Sequence, residues 1–216
     1  MQIPQSPTVT IAIPTLNEAK YIQSVIYAFL EQRSPHLLEI IVADGGSTDD
    51  TQSLVHQLAS EHSEVKLLHN PHKIQSYALN LILQRAQGDI FLRADAHAIY
   101  ADNYIQKCIT ALRETEAVNV GGAQRFVAKS AFQSGVAIAS RSPFGNGKAK
   151  YRDPNYSGYA ETVYLGCFWR KALESVGGYC VDAVTNQDAE LNLRLLADTP
   201  HAIYVSSDNE VWYAQR

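Results

Sequence analysis

The chain has 216 residues, 46% of them apolar, which suits one large core better than two small ones. A formal net charge of -4 supplies no global basic field, so nucleic acid is not expected as a partner. Three cysteines, Cys108, Cys167 and Cys180, stand far apart without Cys-x-x-Cys spacing and read as buried free thiols rather than disulfides or zinc ligands. Met1 to Pro7 lacks the charged start and apolar segment of a signal peptide. No run nears the roughly 18 apolar residues of a membrane span, and the expected location is cytoplasmic.

Val9 to Ile13 is apolar and β-branched, and predicts a first strand halted by Pro14. After the loop Pro14-Thr15-Leu16-Asn17-Glu18, residues Ile22, Val25, Ile26, Phe29 and Leu30 recur at amphipathic-helix spacing. Leu38 to Ala43 predicts the second strand, running into the polar turn Asp44 to Thr51, which carries capping residues for a second helix marked by Leu54, Val55, Leu58 and Ala59. Val65 to Leu68 predicts a third strand. The loop Asn70 to Lys73 leads to a third helix through Ala78, Leu79, Ile82, Leu83 and Ala86, with Gly88 expected as its C-terminal cap.

Asp89 to Leu92 predicts the fourth strand. If it continues to His97, Asp95 and His97 point the same way, because alternate residues of an extended chain share a face. A helix through Ile105, Cys108, Ile109 and Leu112 and a strand at Val118 to Val120 follow. Strands alternating with helices imply an α/β fold with a mostly parallel sheet covered on both faces. Between Gln124 and Tyr164 the periodicity gives way to Gly, Pro, Tyr and basic residues, which predicts a binding loop or lid, or a disordered segment. A helix near Trp169 to Val176, the Gly177-Gly178 break, a helix through Leu191 and Leu195 and a strand at Ala202 to Val205 complete a single expected domain, residues 1–216.

In open parallel sheets, ligands bind beyond the carboxyl ends of the strands. Three polar clusters fall at such ends: Pro14 to Glu18, Asp44 to Asp50, and Asp95 to His97. Each has a structural reading, with Asn17 as a cap, Asp44 holding a turn and Asp95 opening a helix. Acidic groups converging at one edge repel, and a divalent cation with a polar ligand relieves this. A dehydrogenase is excluded, because Ala43-Asp44-Gly45-Gly46-Ser47 is no Gly-x-Gly-x-x-Gly. A sugar nucleotidyltransferase is disfavoured, since no Gly-rich basic loop follows the first strand.

From Val9 to about Arg194, the motifs Pro14-Thr15-Leu16-Asn17-Glu18, Val42 to Thr51 and Ala94-Asp95-Ala96-His97 resemble glycosyltransferase family 2 in order and spacing. The Asp-Ala-His variant and Asn186 to Asn192 look most like its succinoglycan-type exopolysaccharide subgroup. The resemblance implies a GT-A fold and inverting transfer of a sugar from a nucleotide-diphosphate sugar, UDP-linked by preference, to a glycan or polyprenyl-linked acceptor. It also implies site roles. Pro14, Thr15, Glu18 and Asp44 line the base and ribose pocket, with Asp44 accepting from the base, and Lys73 approaches the nucleotide. Asp95 and His97 match the Asp-x-Asp motif, which binds ribose and a divalent metal, Mn²⁺ or Mg²⁺.

Asp188 matches the general base, with a helix cap as its alternative reading, and Gln187 replaces a commoner second carboxylate, for which either Glu190 substitutes or no substitute is needed. Gly166 and Trp169 border the acceptor, and Tyr151, Tyr156, Tyr159 and Tyr164 either stack on sugars or pack over the sheet. Arg194 is a surface or helix-stabilising charge. Residues 124–165 form the acceptor-side region. Members of this subgroup continue with apolar helices that rest on or cross the membrane, so the resemblance implies a shortened or naturally short chain, peripheral attachment at the inner membrane face, or both. A catalytically silent nucleotide-sugar-binding or scaffold domain is the competing reading. Imidazole at position 97 suits Mn²⁺ better than the oxygen-preferring Mg²⁺. Turnover with Mn²⁺ is therefore expected to equal or exceed that with Mg²⁺, and a metal titration in which Mg²⁺ alone restores turnover would overturn this.

Overall fold

The computed structural model describes residues 4–127, 150–183 and 185–214. Four strands come first: β1 (Val9–Thr15), β2 (Leu37–Asp44), β3 (Val65–His69) and β4 (Ile90–Arg93). Helices α1 (Ile22–Leu30), α2 (Thr51–Glu61) and α3 (Gln75–Arg85) separate them. Next come β5 (Ala98–Tyr100), α4 (Tyr104–Glu114) and β6 (Asn119–Val127). After a short 3₁₀ turn at Lys150–Arg152 follow β7 (Gly158–Tyr159), β8 (Tyr164–Trp169), α5 (Arg170–Ser175), α6 (Gln187–Asp198) and β9 (Ile203–Ala214).

The strands form one sheet in the order β3-β2-β1-β4-β8-β6-β9-β5, with β7 also on β9. The expected parallel order holds from β3 to β4. Beyond β4 the sheet is mixed, because β8 runs antiparallel to both β4 and β6 while β9 is parallel to β6. Alternation sorts the core to two faces. Val9, Ile11, Ile13, Ile40, Val42, Ile90 and Leu92 pack with α1, α2 and α4. Ala12, Ile41, Ala43 and Phe91 pack with Leu79 and Ile82 of α3 and Leu191 and Leu195 of α6.

Several expectations need correction. Pro14 does not halt β1, which runs on to Thr15 with Pro14 opposite Ala43. Ala94 N–H donates to Ala12 O, so even-numbered backbone groups of β1 face β4. Since β4 pairs only as far as Ala12, the donor that Pro14 lacks has no ladder partner to lose. Gly88 is not the cap of α3, whose C-cap is Ala86. A Cβ on Gly88 would lie 2.5 Å from Thr10 N, so close backbone approach explains the glycine. Strands β5, β7 and β8 were not expected. Trp169 lies at the end of β8, opposite Ile90, and is buried in the core rather than beside a site.

Gly166 sits in β8 where an added Cβ would meet Phe168, so it too is packed within the fold. Tyr151, Tyr156, Tyr159 and Tyr164 pack against the two core faces, the second of the two roles considered for them. Within the 124–165 region, residues 128–149 lie outside the described part.

One buried charge ties β1, β2 and β3 together. Glu39, 1% exposed, accepts from Thr10 Oγ1 at 2.7 Å, Gln87 N at 2.8 Å and Lys66 Nζ at 2.7 Å. Burial pushes its pKa up, but Lys66, the Gln87 N–H and Thr10 together hold it below the ordinary carboxylate value. Because the folded-state value is the lower one, this stabilisation is complete above the unfolded-state pKa. It is lost as the pH falls through the folded-state value. Glu39→Gln is expected to cost about 1–3 kcal/mol at neutral pH, the Lys66 share being small because that ammonium is half exposed. Urea titrations between neutral and acid pH should show the variant losing less stability on acidification than the parent.

Candidate active site

The loops after β1 and β2 are built from each other. Asn17 N–H donates to Ser47 Oγ at 2.8 Å, and Asn17 Oδ1 accepts from Thr48 N at 2.8 Å. Glu18 N–H donates to Thr51 Oγ1 at 2.8 Å, and Asp49 accepts from Ala19 N at 3.1 Å. These bonds consume the small polar residues of both motifs. Asn17 adopts a left-handed φ of 54° in the process.

What remains faces a cavity of about 210 Å³ lined by Pro14, Thr15, Glu18, Lys73, Asp95 and His97, with Leu16 and Gly45 among the other lining residues. Six of the expected site residues therefore meet, drawn from the β1, β3–α3 and β4–β5 connections. The route for Asp95 and His97 differs from expectation, since β4 ends at Arg93. A turn closed by Ala98 N–H donating to Asp95 O at 3.2 Å carries them to the cavity instead of an extended strand. Tyr100 of β5 holds that turn by accepting from Asp95 N at 2.8 Å. Burial and the nearby Asp95 carboxylate push the Tyr100 pKa well up, so the phenol is neutral.

Asp44 stands apart. It is 1% exposed and accepts from Gly46 N at 2.8 Å, Ser47 N at 2.9 Å and Gln52 Nε2 at 2.7 Å, and it also binds Ser47 Oγ. Its carboxylate shapes the turn, and it lines a neighbouring hollow with His56 and His69 rather than the main cavity.

His97 Nδ1 lies 3.4 Å from Glu18 Oε1, with both side chains largely buried. Among the described residues no three His, Cys, Asp or Glu side chains gather closely enough to cage a cation. Asp95 and His97 on one short turn fit a cation shared with a ligand's oxygens, since such ions are commonly held by one or two protein groups plus substrate phosphates.

Asp188 occupies the first turn of α6, whose N-cap Asn186 has a φ of 58° and makes no side-chain capping bond. Its carboxylate does not cap the helix; Oδ1 pairs with Arg93 Nη1. Arg93 is 7% exposed, and its Nη2 lies 3.5 Å from Asp95 Oδ1. Burial works to lower the Arg93 pKa, but Asp188 and Asp95 outweigh it and the net shift is upward. Tyr179 completes the group, its phenol pushed up by burial and by Asp188 and drawn back by Arg93. Arg93 was missed because it sits in an apolar run. Parity was the available signal, since Phe91 faces α3 and α6 and residue 93 follows it on the same face.

The other carboxylate of α6, Glu190, is committed elsewhere. Arg194 donates to it through Nε at 2.7 Å and Nη2 at 2.6 Å, and also reaches Gly178 O at 2.8 Å and Val176 O. Arg194 thus clamps α6 onto the Gly177-Gly178 turn, whose φ values of 80° and 73° require glycine.

The sequence profile described as Glycosyl transferase family 2 matches residues 10–177. The chain belongs to glycosyl transferase family 2. It is 37% identical over 187 residues to the succinoglycan biosynthesis protein ExoA of Rhizobium meliloti, covering 86% of this chain and 57% of that one. It is 28% identical over 200 residues to a dolichyl N-acetyl-alpha-D-glucosaminyl phosphate 3-beta-D-2,3-diacetamido-2,3-dideoxy-beta-D-glucuronosyltransferase of Methanococcus voltae, covering 88% and 62%. The chain therefore spans roughly three fifths of these relatives.

Among solved structures, mannosyltransferase PcManGT of Pyrobaculum calidifontis, in complex with GDP-Man and Mn²⁺, superposes with a TM-score of 0.70 at 24% identity, covering 97% of this chain and 56% of that one. TarS of S. aureus in complex with UDP-GlcNAc gives 0.75 at 15%, covering 97% and 59%. The fold is GT-A, the architecture of these transferases. No helix among the described residues is long and apolar enough to cross a membrane.

Arg194→Ala is expected to lower stability by about 1–3 kcal/mol, because it strips partners from two backbone carbonyls and a carboxylate. Denaturant unfolding measures this, and an unchanged midpoint would mean the clamp contributes nothing.

Proposed function

We propose that this family 2 domain transfers a sugar, with inversion, from a nucleotide-diphosphate sugar to a glycan or polyprenyl-linked glycan in surface-polysaccharide synthesis at the inner face of the membrane. The observation that carries the reading is the single cavity formed by Pro14, Thr15, Glu18, Lys73, Asp95 and His97, with Asp188 tied to its edge through Arg93. Similarity to ExoA supports the polysaccharide context, and the dolichyl-phosphate acceptor named for the archaeal relative supports a lipid-linked acceptor.

In this reading the cavity takes the nucleotide of the donor, preferentially UDP. Pro14, Thr15 and Glu18 bound its base and ribose, and Lys73 brings a cation to the rim. Asp44 acts mainly by shaping the turn that presents Gly45. Asp95 and His97 would hold the divalent cation, Mn²⁺ at least as well as Mg²⁺, which supplies charge compensation for the departing diphosphate.

Asp188 is the general base. It takes the proton of an acceptor hydroxyl as the hydroxyl oxygen bonds to the anomeric carbon. The bond from that carbon to the diphosphate oxygen breaks with its electron pair leaving on the nucleoside diphosphate. Attack opposite the leaving group inverts the centre. The first turn of α6 suits a carboxylate, since the helix dipole favours negative charge there.

Thermal-shift measurements with UDP-, GDP- and dTDP-sugars, with and without Mn²⁺, are expected to show metal-dependent stabilisation by one class. Asp95→Asn should abolish it. Asp188→Asn should keep it while turnover falls by about 10²–10⁴-fold, the usual contribution of a positioned base. Near-normal turnover in folded Asp188→Asn would remove the base assignment. Stabilisation without turnover in the parent would favour a binding module.

A further inference from the structure

We propose that Arg93 is a positioning residue that holds Asp188 in register with the donor-side carboxylate Asp95. This rests on the reading of Asp188 as the acceptor-side base.

Arg93 is the last residue of β4, on the sheet face covered by α3 and α6. Its guanidinium is nearly sealed from solvent and spans two elements that are 95 residues apart in the chain. One terminal nitrogen binds Asp188 Oδ1 and the other lies 3.5 Å from Asp95 Oδ1. The buried Tyr179 phenol is the third group at this guanidinium and interacts with it. A buried cation kept only for stability is a poor solution, because well-packed apolar groups generally do as well or better. A fork of rigid geometry that reaches two carboxylates at once suits the setting of a distance.

The rest of the neighbourhood is arranged to hold that fork. Tyr179 exchanges two backbone bonds with the Asn80 side chain of α3, each 2.8 Å. Asn192 of α6 accepts from Asn119 Nδ2 at 2.9 Å and donates to Thr162 Oγ1 at 2.8 Å, fixing the helix that carries Asp188. Asp188 itself is 37% exposed and makes no capping bond, so Arg93 is what orients it. With Oδ1 held, Oδ2 is left to take the acceptor proton. The two contacts differ in kind, the Asp188 pairing being close and the Asp95 contact long. Asp95 can therefore turn to a bound donor while Arg93 keeps Asp188 in place.

The test compares Arg93→Lys, which keeps the charge and loses the fork, with Arg93→Gln, Asp188→Asn and the Arg93→Gln/Asp188→Asn pair. Donor binding is read by thermal shift with UDP plus Mn²⁺ and with GDP plus Mn²⁺. Turnover is read as nucleoside diphosphate release from the sugar nucleotide that stabilises the parent most. Arg93→Lys is expected to leave donor KM within about threefold and to cut kcat by roughly 10²-fold, the scale of a 1 Å misplacement. Guanidinium ion should partly restore Arg93→Gln, and the double variant should be no slower than Asp188→Asn alone.

Undiminished kcat in Arg93→Lys, or losses that simply multiply in the double variant, would overturn the proposal. If Asp188→Asn alone kept full turnover, the base reading would fall first. If Arg93→Gln does not fold, Arg93→Lys carries the comparison. A crystal structure of Arg93→Lys decides independently of turnover: the Asp188 carboxylate should leave its position near β4, and an unmoved carboxylate would sink the inference.

Discussion

The constraint on which the rest depends is that β1, β2, β3 and β4 run parallel and in register, so that their carboxyl ends stop at one edge. Thr15 pairs with Asp44, and Asp44 with His69, while β4 stops level with Ala12 and turns away. A parallel sheet buries both faces, and the apolar residues of these strands divide cleanly between two cores. No polar side chain needed for chemistry can sit within such strands without cost. The chemistry is therefore displaced to the strand ends, where chain that is free to turn also has backbone groups to satisfy.

Those backbone groups explain most of the motif residues. Asn17, Ser47, Thr48, Asp49 and Thr51 spend their side chains on each other's loops. Asp49 shows the consequence: hydrogen bonding from Thr51, with the Ala19 and Thr51 N–H groups, holds its carboxyl below the ordinary value. Asp44 belongs with this set, since four donors converge on it. A motif is thus two populations of residues. One fixes the loop, and the other, Glu18, Lys73, Asp95 and His97, is presented by it.

Reading the sequence separated these populations poorly, although it located the motifs. The strands β1 to β4, the intervening helices and the meeting of Pro14, Glu18, Lys73, Asp95 and His97 were legible, because each rests on local periodicity and on the rule for strand ends. The second half was not. Strand β7 is only two residues long and is recognised by its partner β9, while the apolar run of β8 leads without a break into α5 and is recognised by its partners β4 and β6. Gly88 resembled a helix cap and proved to be a close backbone approach, a distinction set by Thr10, 78 residues away. Asp188 kept a helix cap as its alternative reading, which its pairing with Arg93 replaces.

Arg93 also answers the repulsion between the two carboxylates it touches, Asp95 and Asp188. Like charges brought to one site repel. A single guanidinium between them offsets that repulsion. It also remains charged at any pH where the fold survives, since its pKa is pushed above an already high value. A lysine could neutralise as much charge but could not address two carboxylates in fixed directions. The demand at position 93 is therefore for geometry as well as charge, and it arises from the site rather than from the strand that carries it.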